Sequence, residues 1–288
     1  MKLIEGKEIA AQIEKSLAKE IQSFTGRKPG LAFIRVGDNP SSKVYIGMKQ
    51  KKCAEAGILS FDSECPQSMS QKDLLALIDN LNADDNVDGI LLQLPIPAHL
   101  DTAEAIERID PRKDVDGFHP YNMGKLLLGN AEGLIPCTPK GIHKLLIESG
   151  TKIEGKHVVI VGRSNIVGKP LAALLMQKAP DCNATVTVAH SRSDHLQEIC
   201  KQADILVAAV GEPLFIKDTM VKKDAVVIDV GINKITKDGK QALVGDVDFE
   251  HVAPLCSAIT PVPKGVGPMT IALLLENTVK AYKALKRF

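Results

Sequence analysis

Two α/β domains built on parallel sheets are what this chain of 288 residues predicts. The length is about twice the roughly 150 residues of an average domain. Apolar strand segments alternate with helical ones, the rhythm of βαβ units. The strand segments are continuous apolar runs, as in sheets covered by helices on both faces. Hydrophobic residues make up 44% of the chain and charged ones 25%, an ordinary globular mix that excludes a disordered regulator.

Gly6 to Phe24 reads as an amphipathic helix and Gly30 to Val36 as a buried strand. Pro40 to Ala56 reads as a helix stopped by Gly57, with Ser41 or Ser42 as its cap. Ser70 to Asn82 is a further helix and Gly89 to Leu94 a second buried strand. After Pro136 the pattern restarts with a helix from Thr138 to Ser149 and a strand from His157 to Val161. Helices at Leu171 to Gln177 and His195 to Lys201 alternate with strands at Thr185 to Ala189 and Ile205 to Val210. A last strand runs from Ala225 to Val230 and ends in Gly231. Met269 to Lys286 is a long helix with no strand after it, which suits a helix that packs back on the first domain.

Lys plus Arg number 36 against 35 Asp plus Glu, for a net charge of +1, so bulk charge recruits neither nucleic acid nor an anionic membrane. Aromatics are 3%, with no Trp and three Tyr, which argues against stacking platforms for single strands and gives weight to a Tyr in a cleft. The first eleven residues carry Lys2, Glu5, Lys7 and Glu8 with no apolar core, so no secretory signal is expected. Apolar runs such as Ile271 to Leu275 fall far short of the roughly 20 residues of a membrane helix. Cys53, Cys65, Cys137, Cys182, Cys200 and Cys256 form no Cys-x-x-Cys pair and read as free thiols in a reducing, cytoplasmic setting. The seven histidines show no ligand spacing, and the carboxylates between Asp110 and Asp116 lack the rest of a calcium loop, so no metal is expected. A serine-triad hydrolase is not supported, because no Gly-x-Ser-x-Gly elbow occurs.

From His157 to Leu171 the chain is an apolar strand, a glycine turn at Gly162 and a helix start near Gly168. Such a turn is either a plain βα connection or an anion site, where backbone N–H groups and the helix dipole meet a phosphate. The strict dinucleotide fingerprint is absent, since Ser164 and Val167 stand where its second and third glycines belong. The next strand ends in His190, Ser191, Arg192 and Ser193 rather than in the Asp or Glu that accepts bonds from an NAD ribose. Hydroxyl and cationic donors suit a 2′-phosphate, hence NADP. Arg163 is a second phosphate partner, and Arg192 is either another or a solvated loop charge. Gly211 and the Gly231-Ile232 pair end two more strands, at the edge where ligands of doubly wound sheets bind.

In the first half, Tyr45 and Lys49 lie four apart and share a helix face. On spacing alone Lys49 is either a chemical group or one of four lysines on a solvated face. Gln93, inside an apolar strand, either is a satisfied core residue or faces a cleft. Two Pro- and Gly-dense joints, Pro136 to Gly141 and Thr260 to Thr270, complete the unusual segments.

These stretches together resemble the bifunctional methylenetetrahydrofolate dehydrogenase/methenyltetrahydrofolate cyclohydrolase family nearly end to end. The matching residues are Ser42, Tyr45 and Lys49 on one helix, Gln93 to Pro95, Lys113 to Gly117, Pro136 to Pro139, Gly162 to Gly168 with Pro170, Gly245 to Val247, and Gly265 to Thr270. The resemblance implies an N-terminal α/β catalytic domain and a Rossmann-type doubly wound NADP-binding domain, with a cleft between them. The implied division is 1–138 plus 270–288 for the folate-binding domain and 139–269 for the nucleotide domain. It implies NADP-dependent oxidation of 5,10-methylenetetrahydrofolate to the 5,10-methenyl form, then hydrolysis to 10-formyltetrahydrofolate, within the one-carbon metabolism that serves purine biosynthesis. It also implies a cytoplasmic homodimer with no nucleic-acid or membrane partner.

Carried over residue by residue, Lys49 is the proton-transfer group, Gln93 orients it, Asp116 accepts the paired N–H donors of the pterin, and Tyr45 stacks on the folate. As a base, Lys49 needs its pKa brought down by burial and nearby positive charge. Ser42, Gly265 and Pro268 are further substrate contacts. Gly162, Arg163, Ser164, Ile166, His190, Ser191, Gly211, Ile232 and Thr270 are the cofactor contacts. One departure is visible: Lys264 stands where the family commonly has the first of two glycines, and it gives up the freedom to take a positive φ. Another NADP-dependent two-domain dehydrogenase of the shikimate type, or a non-catalytic NADP sensor, is the alternative.

Overall fold

The computed structural model describes residues 1–237 and 240–286. Its elements in chain order begin β1 (Lys2–Leu3), α1 (Gly6–Gln22), β2 (Gly30–Val36), α2 (Pro40–Ala56), β3 (Leu59–Cys65), α3 (Gln71–Ala83), β4 (Gly89–Leu92), α4 (Thr102–Arg108), α5 (Pro120–Leu127) and α6 (Cys137–Glu148). They continue β5 (His157–Val161), α7 (Gly168–Leu175), β6 (Thr185–Ala189), α8 (Leu196–Cys200), β7 (Ile205–Ala208), β8 (Val226–Asp229), β9 (Asn233–Lys237), β10 (Lys240–Val244), α9 (Phe249–Val252), β11 (Ala258–Ile259) and α10 (Val266–Lys286). The chain forms two compact units.

The first unit comprises Ala11–Lys125, Asn130–Cys137 and the residues from Ile271 on. Its sheet has the order β3-β2-β4, all parallel. The central strand β2 is buried along its whole length, which is why its apolar run is unbroken. Edge strand β3 alternates exposed and half-buried residues and carries polar residues that hide it from a hydrophobic reading. Ile34, Leu74, Ile78 and Ile90 form the heart of one core layer. The terminal helix contributes Tyr282, wholly buried, whose hydroxyl donates to the Arg27 carbonyl over 2.7 Å and whose ring stacks on Phe24. Arg27 in turn forms a paired ion contact with buried Asp88 at 2.6 and 2.7 Å.

Helix α2 starts at Pro40, and the backbone N–H of Ser42 donates to Asn39 Oδ1 over 3.2 Å. Asn39 therefore caps the helix, where the sequence offers Ser41 or Ser42. Proline suits the first helical position, so the cap falls one residue earlier. The Ser41 side chain lies outside the described residues.

The second unit comprises Met1–Ala10, Leu126–Gly129 and Thr138–Thr270. Its six parallel strands have the order β1-β11-β8-β7-β5-β6. A parallel arrangement of this kind brings successive strand ends to one edge. The first ten residues fall in this unit, where the predicted division has them in the other. The reason is that β1 pairs with β11, Lys2 opposite Ala258 and Leu3 opposite Ile259, and a two-residue strand leaves no periodic signal. Strand β7 stops at Ala208, two residues short of the predicted end, because the Val210 and Gly211 N–H groups turn to a side chain, Asp246. Between β8 and α9 an antiparallel hairpin, β9 and β10, stands apart from the main sheet.

Candidate functional site

Helix α2 carries four lysines, and burial separates them. Lys43 and Lys51 are exposed, while Lys52 pairs with Glu14 and Glu55, both at 2.9 Å. Lys49 is only 7% exposed. Its Nζ donates to Gln93 Oε1 over 3.0 Å, and Gln93 Nε2 donates to the Leu94 carbonyl over 2.8 Å. The second bond fixes which end of the amide faces the lysine. Tyr45, one turn earlier on the same helix, is half-buried, and that burial pushes its phenol pKa up.

Asp116 follows β4 through a short parallel bridge between Ile90 and Asp114. Burial pushes its carboxyl up to about 6; the Lys49 ammonium opposes that shift and Asp114 adds to it. The loop is held by Asp114, which accepts from the backbone N–H groups of Phe118 at 3.2 Å and His119 at 2.8 Å and from Asn122 Nδ2 at 2.9 Å. From the far end of the chain, buried Asn277 donates to the carbonyls of Val115 at 2.8 Å and Ile135 at 2.9 Å. At Gly117, with φ +75°, a Cβ would crowd the backbone of Leu134 to Pro136. Lys49, Gln93 and Asp116 are thus one cluster within the first unit, with Tyr45 and Ser42 on the helix that carries Lys49. Gly265 and Pro268 belong to the second unit. Among the described residues no His, Cys, Asp or Glu group could hold a metal ion.

In the second unit every expected cofactor residue lies beyond the carboxyl end of a strand. Gly162 follows β5, His190 and Ser191 follow β6, Gly211 follows β7, Ile232 follows β8, and Thr270 lies in α10, which comes after β11. Gly162 has φ +137°, and a Cβ there would run into the Ala209 carbonyl oxygen, just as one at Gly168 would run into the carbonyl of Gly162. Only glycine permits this close turn, and the turn leads into α7, so the backbone forms the cradle an approaching phosphate needs. The Ser164 hydroxyl accepts from Val167 N–H at 3.1 Å and Gly168 N–H at 3.5 Å, which makes it the cap of that helix. Val167 has no side-chain cap of its own.

After β6, Ser193 Oγ accepts from His190 N–H at 3.0 Å, and His190 Nδ1 accepts from Arg192 N–H at 3.2 Å. The tight turn leaves Ser191 and Arg192 exposed, as is Arg163. These are exposed donors of the kind that suits a phosphate on a ribose, and no carboxylate stands among residues 190–193 to repel one. Ile166 and Ile232 are 42% and 47% exposed, which leaves apolar faces for flat rings at the same edge. The residues fit a dinucleotide carrying a 2′-phosphate. Thr270 Oγ1 meets Thr138 Oγ1 at 3.2 Å. Lys264 has φ +91°, a conformation that suits glycine better than a residue with a side chain.

Sequence reasoning missed Asp229 and Asp246, which are buried and bind backbone N–H groups of these edge loops. A signal was present: a glycine lies two residues after Asp229, in Asp229-Val230-Gly231, and directly before Asp246, in Gly245-Asp246.

Two family descriptions match the chain. "Tetrahydrofolate dehydrogenase/cyclohydrolase, catalytic domain" covers residues 4–116, and "Tetrahydrofolate dehydrogenase/cyclohydrolase, NAD(P)-binding domain" covers residues 136–286. The chain is 53% identical over 283 residues to "Bifunctional protein FolD" of Chlamydia pneumoniae, covering 98% of this chain and 99% of that one. Among solved structures it is similar to the bifunctional enzyme methylenetetrahydrofolate dehydrogenase/cyclohydrolase of Campylobacter jejuni, with TM-score 0.94, 47% identity and 99% of both chains covered. The Trypanosoma brucei dehydrogenase-cyclohydrolase, complexed with NADP cofactor and inhibitor, follows at TM-score 0.93 and 36% identity, with 99% of this chain and 98% of that one covered. Shikimate 5-dehydrogenase of Listeria monocytogenes reaches TM-score 0.50 at 13% identity, covering 92% of this chain and 94% of that one. That is a likeness of fold alone and does not favour the shikimate alternative.

Proposed function

The chain belongs to the tetrahydrofolate dehydrogenase/cyclohydrolase family, and from that premise we propose how its residues divide the two reactions. It is a bifunctional enzyme that oxidises 5,10-methylenetetrahydrofolate to the methenyl form with NADP and then hydrolyses that to 10-formyltetrahydrofolate. NADP supplies the acceptor for the hydride that leaves the one-carbon bridge. For that step the protein's contribution is positioning. Gly162, Ser164, Ile166, Gly211, Ile232 and Thr270 hold the cofactor at the carboxyl edge of the six-stranded sheet, and Arg163, His190 and Ser191 meet its 2′-phosphate.

Ring opening needs water to attack the methenyl carbon, a proton to leave that water and a proton to reach the departing ring nitrogen. Lys49 moves this proton, and Gln93 sets the direction of its Nζ. The observation that carries the reading is the bond from buried Lys49 to Gln93, with Asp116 alongside. Asp116 as a carboxylate accepts the paired N–H donors of the pterin, as it would a guanidinium fork. Tyr45 stacks on the folate, with Ser42, Gly265 and Pro268 as further contacts.

We place the enzyme in the cytoplasm, in the supply of one-carbon units for purine biosynthesis, as a homodimer with no nucleic-acid or membrane partner. The described residues include no helix long and apolar enough to cross a membrane. Strand β6 ends the six-stranded sheet, and Val188 on it is 40% exposed; an open edge of this kind suits pairing with a second copy.

The test supplies 5,10-methylenetetrahydrofolate with NADP or NAD and follows reduced nicotinamide, methenyl and 10-formyl products. Both products with NADP support the reading. Absence of turnover favours a cofactor sensor, and a methenyl product that never opens removes the cyclohydrolase. In the same assay Arg163→Glu weakens NADP use more than NAD use, whereas equal effects argue against a 2′-phosphate pocket.

A further inference from the structure

Beneath the carboxyl edge of the six-stranded sheet lie two carboxylates, Asp229 at 2% exposure and Asp246 at 0%. Neither forms an ion pair among the described residues. Each instead collects three N–H donors. Asp246 Oδ2 accepts from the backbone of Val210 at 2.7 Å and Gly211 at 2.8 Å, and its Oδ1 accepts from Asn233 Nδ2 at 2.9 Å. Asp229 Oδ1 accepts from the backbone of Asp246 at 2.8 Å and Gly231 at 3.1 Å, and its Oδ2 accepts from Val247 N–H at 3.0 Å.

The two side chains interlock through glycine. A Cβ at Gly231 would collide with the Asp246 carboxylate, and one at Gly245 would collide with that of Asp229. The loop before α10 joins the same assembly, since Asp229 N–H donates to Thr260 Oγ1 over 2.7 Å. Burying two carboxyl groups without a cation is an expensive way to stabilise a fold, and burial pushes that of Asp229 up to about 7; apolar residues of similar volume would stabilise the fold at lower cost. What a charged acceptor does supply is short, directional bonds that hold flexible backbone in one place. The backbone held here is that of the loops carrying Gly211 and Ile232.

We infer that Asp246 is a positioning residue of the cofactor site, clamping the loop after β7 to the loop before β9, with Asp229 as its support. This rests on the reading that the cofactor binds at this edge. Asp246 does not touch the cofactor; it fixes two loops that do, so its loss weakens cofactor binding while the folate cluster of the first unit stays intact.

The experiment measures NADPH affinity by the fluorescence of the bound cofactor and, separately, the KM for 5,10-methylenetetrahydrofolate, in the full chain and two variants. Asp246→Asn keeps the shape and removes the charge. Bonds to a charged acceptor exceed neutral ones by enough to predict about a tenfold loss of NADPH affinity, with the folate KM within twofold of the parent. Asn233→Ala removes one of the three bonds without touching either buried carboxylate, and predicts about a threefold loss with the same split. It decides the matter if Asp246→Asn does not fold. Unchanged NADPH affinity in a folded variant overturns the inference, as does an equal loss of cofactor and folate binding, which is what general loosening would produce. A parent enzyme that binds no NADPH overturns the reading of the edge itself, and the role of Asp246 with it.

Discussion

Lys49 Nζ donates to Gln93 Oε1 over 3.0 Å, while the other end of the same amide is occupied by the Leu94 carbonyl. Gln93 therefore cannot turn without losing one bond, and the lysine amine has a fixed direction. The pair joins α2 to the end of β4, two elements anchored on the same three-stranded sheet.

Replacing that amide separates direction from packing. Gln93→Leu keeps the volume and removes the acceptor, so Lys49 loses its partner and its aim. Methenyl hydrolysis should fall about tenfold or more, while oxidation of the methylene substrate changes by less than about threefold, consistent with one bond to a charged group. Steady-state rates of the two reactions measured in parallel check this, and an equal fall in both would show that Gln93 merely supports the fold.

Asp116 gives a pH signature. Its carboxyl is raised to about 6 by burial, so it is ionised above that pH and neutral below. Only the ionised form accepts two N–H donors. The KM for the folate substrate should rise as pH falls through about 6 and stay flat above it. Asp116→Asn should show a high KM at every pH with that inflection gone. A parent KM independent of pH between 5 and 7 would remove Asp116 from pterin recognition.

Lys264 holds φ +91°, where an L side chain is strained and glycine is not. Lys264→Gly relieves that strain but gives the unfolded chain more freedom, and the two effects oppose each other. The strain is the larger, so the variant should be more stable by about 1 kcal/mol in urea unfolding. A less stable variant would mean that the side chain makes contacts worth more than the strain.

Buried strands were legible because a parallel sheet covered on both faces demands unbroken apolar runs, and β2 and β5 have the predicted bounds, as does the edge strand β6 with its alternating pattern. Strands β1 and β11, two residues each, and the lysine-bearing hairpin of β9 and β10 carry no such pattern. Neither did α4 and α5, which lie in the polar stretch after β4. In the site, spacing alone could not separate Lys49 from Lys43, Lys51 and Lys52. Burial, and the diversion of Lys52 to Glu14 and Glu55, separates them. Asp246 was legible in the sequence only through the glycine before it and the family match of Gly245 to Val247, because its side chain works on N–H groups brought together from residues 210, 211 and 233.

The central claim is that Lys49 moves the proton of ring opening. Lys49→Ala should bind NADPH and 5,10-methenyltetrahydrofolate with affinities close to the parent's, yet its hydrolysis of the methenyl substrate should fall to the uncatalysed rate. Single-turnover decay of methenyl absorbance, with binding measured on the same preparation, makes the comparison directly. Ring opening at a rate near the parent's in that variant would contradict the account.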